Sequence, residues 1–189
     1  CLYNEQDGLT KNYTKHGQQE LLESGIHAPK NAPDWAFERE QLWNAAERAE
    51  DAHNKTRARS ARTAQKLEIA LPHELDPEQN RRLVQDFLRD NFTRKGFVCD
   101  VSLHGPDRDG DQRNLHAHIL VTMRTLDGQG FSADKPRMDK AALREQINHW
   151  RENWARQCSR HLERAGFKLE AARMIYAHKT LEEQQKIAE

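Results

Sequence analysis

Cysteine is scarce in this sequence. The 189 residues contain 3, at Cys1, Cys99 and Cys158, an odd and widely spaced set that excludes both a disulfide framework and a CxxC metal knuckle. They read as reduced, incidental thiols. Long apolar runs are also missing: nothing approaches the roughly 20 residues that span a bilayer, and the opening Cys1-Leu2-Tyr3-Asn4-Glu5 has neither the basic end nor the apolar stretch of a secretory signal. Membrane insertion is excluded on this reading, and a cytoplasmic setting is expected. Net charge is absent too, because 30 lysines and arginines balance 30 aspartates and glutamates. No global field draws in a polyanion, so any nucleic-acid surface must be local. Apolar residues make up 36% and charged residues 32%, with a mean hydropathy of -1.04. That balance favours helices with wide solvated faces over a thick sandwich, in one domain or a compact domain with an arm.

Residues 1 to 33, rich in polar side chains without sustained periodicity, read as an irregular entry segment. A helix is expected from Pro33-Asp34 to about His53, with Leu42, Trp43, Ala46 and Ala49 on one stripe. Leu67, Ile69 and Leu71 alternate before Pro72 and predict a short strand. Asp76-Pro77 then opens a helix that carries Leu83, Val84, Phe87, Leu88 and Phe92, with Gly96 as its stop. A second strand runs from Phe97 to His104 and a third from Leu115 to Thr122. Their turn-rich connection predicts an antiparallel pair. Lys140 to Ala165 forms a long helix ended by Gly166. The tail from Phe167 reads as an appended arm whose last short helix Thr180 could cap. The fold class is therefore α+β: an antiparallel sheet covered by helices, with a long C-terminal helix and a helical tail, divided into a domain over residues 1–166 and an arm over 167–189.

Two patterns carry chemistry. His116 and His118 alternate in a strand and so share a face, and His104, ending the preceding strand, would stand near His116 in an antiparallel hairpin. Three neutral imidazoles can grip one divalent ion and leave its other positions open to substrate. The plain alternative is a set of ordinary polar side chains. Glu68 faces away from the Leu67, Ile69 and Leu71 row. It could hold an imidazole N–H and fix its tautomer, or simply be exposed, and Asp100 and Asp111 are weaker candidates for the same role. The second pattern is the basic run Lys55, Arg57, Arg59, Arg62 and Lys66, without an acid between them. It is either a phosphate-binding patch or a solvated linker.

These segments carry a resemblance. The strand Leu67 to Leu71 with Pro72, the strand ending in His104, the stretch Asp111-Gln112-Arg113-Asn114-Leu115-His116-Ala117-His118-Ile119 and the helix ending His161-Leu162-Glu163-Arg164-Ala165-Gly166 together resemble the MobA/MobL family of plasmid-mobilisation relaxases, within the wider HUH endonucleases. The resemblance implies a metal-dependent enzyme that nicks and rejoins one strand of plasmid origin-of-transfer DNA. It also implies a divalent ion, Mn2+ or Mg2+ with Zn2+ also tolerated, held by His104, His116 and His118. A tyrosine would form a 5′-phosphotyrosyl link and free a 3′ hydroxyl.

One departure accompanies the likeness. Family members begin with a strand and a helix bearing the nucleophilic tyrosine, and this sequence starts at about where that helix would end, so the usual nucleophile is expected to lie outside these residues. Tyr3 is the nearest remaining tyrosine and a weak substitute. Tyr13 matches a segment that is not the nucleophile. Arg108, Arg113 and Arg124 are expected to join the basic run along the phosphate backbone, and His178-Lys179-Thr180-Leu181 resembles a segment near the end of the family's domains, with DNA contact, closing of the site or surface packing as its roles. Expected partners are single-stranded origin DNA, auxiliary mobilisation proteins and the coupling machinery. The competing reading is a single-stranded origin-DNA binding domain that lacks its nucleophile and does not cleave.

Overall fold

The structure, a computed structural model, describes residues 2–5, 8–11, 19–53, 62–107, 109–136 and 139–177. They fall into two compact units, one of residues 1–71 and 88–136 and the other of residues 72–87 and 137–189. No described helix is long and apolar enough to cross a membrane.

The first unit is built on a four-stranded antiparallel sheet. In chain order its elements are β1 (Leu2–Asn4), β2 (Leu9–Lys11), β3 (Gln19–His27), a 3-10 turn at Asp34–Phe37, α1 (Arg39–His53) and β4 (Ala64–Ala70). The last turn of α2 (Pro77–Asn91) follows, then β5 (Cys99–Asp107), β6 (His116–Thr122), β7 (Leu126–Asp127) and β8 (Gly130–Phe131). The sheet order is β3-β5-β6-β4, while β1–β2 and β7–β8 are small separate hairpins. Alternation divides the sheet into two faces. Val101, Leu103, Ala117, Ile119 and Val121 are buried on one. The other carries Asp100, Ser102, His104, His116 and His118.

α1 covers one end of that second face. Its anchor is Asp100, which is 7% exposed. The Asp100 carboxylate accepts from Arg39 Nε and Nη2, both at 2.8 Å, and from Trp43 Nε1 at 2.9 Å. Around this anchor Ala36, Leu42, Val98 and Leu126 form a dry cluster, with Ile26, Trp35, Trp43 and Phe131 packed on it. Burying about 25 cal/mol per Å² of apolar surface stabilises the join, and the charge-assisted pair fixes its register.

Three expectations need correction. The entry segment is not irregular: β1 and β2 form a hairpin and β3 is an edge strand of the sheet. Its pattern is hidden because register shifts at Gln19/Leu21 and Leu21/Glu23 break the period of two, leaving the adjacent Leu21 and Leu22 both exposed. Asp34 does not cap α1. It begins the 3-10 turn, which Pro33 precedes, and Glu38 in extended conformation separates the turn from α1. Gly96, at φ +93°, ends the short turn Thr93–Lys95 rather than α2 itself. Thr125 Cβ would lie 3.0 Å from any added Cβ there, so glycine is required twice over.

The second unit is helical. α2 opens with a reciprocal capping box: Gln79 N–H donates to Asp76 Oδ1 at 2.7 Å, and Asp76 N–H donates to Gln79 Oε1 at 3.0 Å, with Pro77 in the first turn. α3 (Lys140–Arg164) is capped by Asp139, which accepts from Ala142 N–H at 2.8 Å. Gly166 at φ +95° ends it in a Schellman turn, where Phe167 N–H donates to the Leu162 carbonyl and Gly166 N–H to that of Glu163. α4 (Lys168–Ala177) follows within the stretch expected to be an arm and buries Ala171. Phe87 and Trp154 meet edge to face at 5.1 Å. The segment with Thr180 lies outside the described residues.

Candidate metal centre

The hairpin of β5 and β6 sets the site by register. His104 pairs directly with His116, and Ser102 with His118. β4, on the other side of β6, places Glu68 opposite His118 and Ala70 opposite His116. Two adjacent rows therefore cross the sheet on the polar face, one of His104 and His116, the other of Ser102, His118 and Glu68. The ring centres stand 5.6 Å apart for His104 and His116, 4.9 Å for His104 and His118, and 5.1 Å for His116 and His118.

Rings bound through nitrogen to one ion have centres roughly 4.6–5.3 Å apart at ligand angles of about 90–110°; the two spacings to His118 fall in that range, and the His104–His116 spacing of 5.6 Å exceeds it. Orientation differs too. His104 and His116 are stacked, at 13° between planes, and among the described residues no three His, Cys, Asp or Glu side chains are already closed into a metal-holding set. The chemistry of the donors suits an ion. His104 Nδ1 is buried without a hydrogen-bond partner, a state that buried polar atoms seldom keep. His116, 5% exposed, places Nδ1 3.1 Å from the Asn114 carbonyl. His118 Nε2 lies 3.2 Å from Glu68 Oε2, which also stands 3.6 Å from Lys66 Nζ.

The electrostatics disfavour the protonated form of two rings. Burial, then the neighbouring His118 and His116 rings and Lys66, hold His104 below the ordinary imidazole pKa, against the opposing pull of Glu68. Burial and Lys66 lower His118, and Glu68 again opposes them. A neutral imidazole retains the lone pair that a metal needs.

The other sequence candidates divide. Arg62, Lys66 and Arg113 are exposed cations, with Arg113 held by both oxygens of Asp111. Arg124 is corrected: it is 5% exposed, its Nε donates to Glu50 Oε1 at 2.8 Å, and its Nη1 donates to the Ser132 and Ala133 carbonyls. A guanidinium so enclosed cannot meet a phosphate. Its role is to brace α1 against the residues after β6, with Lys135 Nζ adding a second bond to Glu50 at 3.0 Å. Asp100 bonds Arg39 and Trp43, Asp111 bonds Arg113, and Glu68 stands beside the His118 ring. Lys55, Arg57, Arg59, Arg108, His178 and Lys179 lie outside the described residues. Tyr3 is half exposed on β1, where its N–H donates to Glu40 Oε2 and its carbonyl accepts from Asn44 Nδ2. β1 is thus docked on α1. Sequence reasoning missed Ser102, the Asn114 carbonyl and the Arg39–Asp100 clamp; for the last, the distance of 61 residues left no local signal.

The model of the MobA/MobL family matches residues 1–189. The chain belongs to the MobA/MobL family. Among its relatives, the probable mobilization protein MobA of Bifidobacterium longum (strain NCC 2705) is 31% identical over 140 residues, covering 73% of this chain and 23% of that protein. The conjugal transfer protein TraA of Agrobacterium fabrum is 35% identical over 141 residues, covering 69% of this chain and 12% of that protein. The chain thus spans less than a quarter of either relative. A solved structure reported as the molecular basis of vancomycin resistance transfer in Staphylococcus aureus is 28% identical, with a TM-score of 0.68, covering 88% of this chain and 80% of that one. This MobA/MobL chain therefore shares its α+β architecture with a protein reported in connection with vancomycin resistance transfer.

Proposed function

We propose that this chain carries the strand-cutting site of a mobilisation relaxase, a site-specific endonuclease and transesterase that acts on one strand of origin-of-transfer DNA. The observation behind the reading is the pairing of His104 with His116 beside the His118–Glu68 row on one sheet face. His104, His116 and His118 would hold a divalent ion, manganese or magnesium with zinc also tolerated. When bound, that ion supplies Lewis-acid stabilisation of charge on phosphate oxygens. Glu68 accepts from the His118 ring and orients it. Arg62, Lys66 and Arg113 are the described cations that would follow the phosphates, joined by Lys55, Arg57, Arg59, Arg108, His178 and Lys179. Tyr3 is the candidate nucleophile within these residues. Its phenolate oxygen would bond to phosphorus as the bond from phosphorus to the 3′ oxygen breaks, and the departing oxygen would take up a proton. The reverse reaction rejoins the strand.

A labelled single-stranded origin oligonucleotide incubated with the protein and manganese tests this on a denaturing gel. The expected result is a protein-linked band that Tyr3→Phe abolishes. A native shift without a linked band would instead make the chain a binding domain, and a linked band that survives Tyr3→Phe would move the nucleophile elsewhere.

A further inference from the structure

His116 is held through Nδ1 by a turn that one carboxylate closes. The Asn114 carbonyl, 3.1 Å from Nδ1, can only accept, so the neutral ring carries its proton on Nδ1 and keeps its lone pair on Nε2. That carbonyl is aimed by the backbone of the turn. Asn114 N–H donates to the Asp111 carbonyl at 2.9 Å, Leu115 N–H donates to the Arg113 carbonyl at 2.9 Å, and the Leu115 carbonyl accepts from Leu71 N–H at 2.8 Å. The Asp111 side chain completes it: Oδ1 accepts from the Arg113 backbone N–H at 3.0 Å and from Arg113 Nε at 3.0 Å, and Oδ2 accepts from Nη2 at 2.8 Å. An aspartate that accepts from the N–H two residues on fixes the backbone at that point.

We infer that Asp111 is a positioning residue: acting through the 111–114 turn and the Asn114 carbonyl, it sets which nitrogen of His116 is protonated and which is offered to an ion. The inference rests on reading the histidines as a metal centre, but its first consequence is visible without metal. Without the turn the Asn114 carbonyl is free to rotate, and the imidazole returns toward the Nε2–H form that it prefers in water. The backbone bond needs only one oxygen, so asparagine at 111 should preserve it while alanine should not.

The test is long-range proton–nitrogen NMR of the histidine rings in the metal-free full chain, at a pH where they are neutral. The expected pattern is a His116 protonated at Nδ1 in the wild type and in Asp111→Asn, and a mixture of tautomers in Asp111→Ala. Melting temperature serves as a check that all three are folded. Manganese titration of the same samples should weaken by about tenfold in Asp111→Ala and stay within about twofold in Asp111→Asn. A wild-type ring protonated at Nε2, an Asp111→Ala ring identical to wild type, or an Asp111→Asn ring that behaves as alanine would each overturn the inference. A wild type that takes up no manganese would overturn the metal reading instead, and the tautomer result would still decide the role of Asp111.

Discussion

At the scale of single residues, the two histidines held below the ordinary imidazole pKa, His104 and His118, tie the site to stability as well as chemistry. The folded state resists their protonation, so below about pH 6.5 the unfolded chain binds more protons and folding is penalised. Their stabilising contribution is complete above that pH and is lost as pH falls toward the lowered values. His27, lowered by burial against the pull of Glu23, acts in the same direction. Melting temperature should therefore fall on acidification from about pH 7 to pH 5, and His104→Asn should fall less steeply than wild type. Equal slopes would mean that His104 is not shielded as described.

At the scale of elements, the Glu50–Arg124–Lys135 network joins α1 to the residues after β6. With Arg124 6% and Glu50 4% exposed at the side chain, breaking it strands a buried charge. Glu50→Ala should cost about 3–5 kcal/mol, and Glu50→Leu with Arg124→Met much less than the single change, because the pair leaves together. Urea unfolding of the single and double variants decides this, and a double variant as unstable as Glu50→Ala would refute it. The same network marks where sequence reading ends. The strand, loop, strand pattern before His116 makes the His104–His116 pairing legible, and Asp76 with Gln79 announces the start of α2, because each depends on residues close in the chain. Arg124 reads as a phosphate contact in sequence because its true partner lies 74 residues away. β3 escapes notice because its bulges shift its side chains between faces. Glu68 is legible as a residue facing away from the apolar row, whereas its place opposite His118 depends on β4 pairing with β6, which no local pattern specifies.

At the scale of the whole molecule, the proposed function and zero net charge meet in one prediction: affinity for single-stranded DNA would come from local cations. Binding should weaken steeply with salt. Replacing Arg62, Lys66 and Arg113 together by alanine should reduce the slope of log affinity against log salt by about 2. An unchanged slope would remove these residues from the DNA path. Arg124→Met should leave the slope alone and lower the melting temperature instead. The most direct measurement concerns the three imidazoles themselves. Calorimetric titration of the full chain with manganese should show one ion per chain, and His104→Ala, His116→Ala and His118→Ala should each bind at least about tenfold more weakly. Uptake by all three variants equal to that of the wild type would contradict the site.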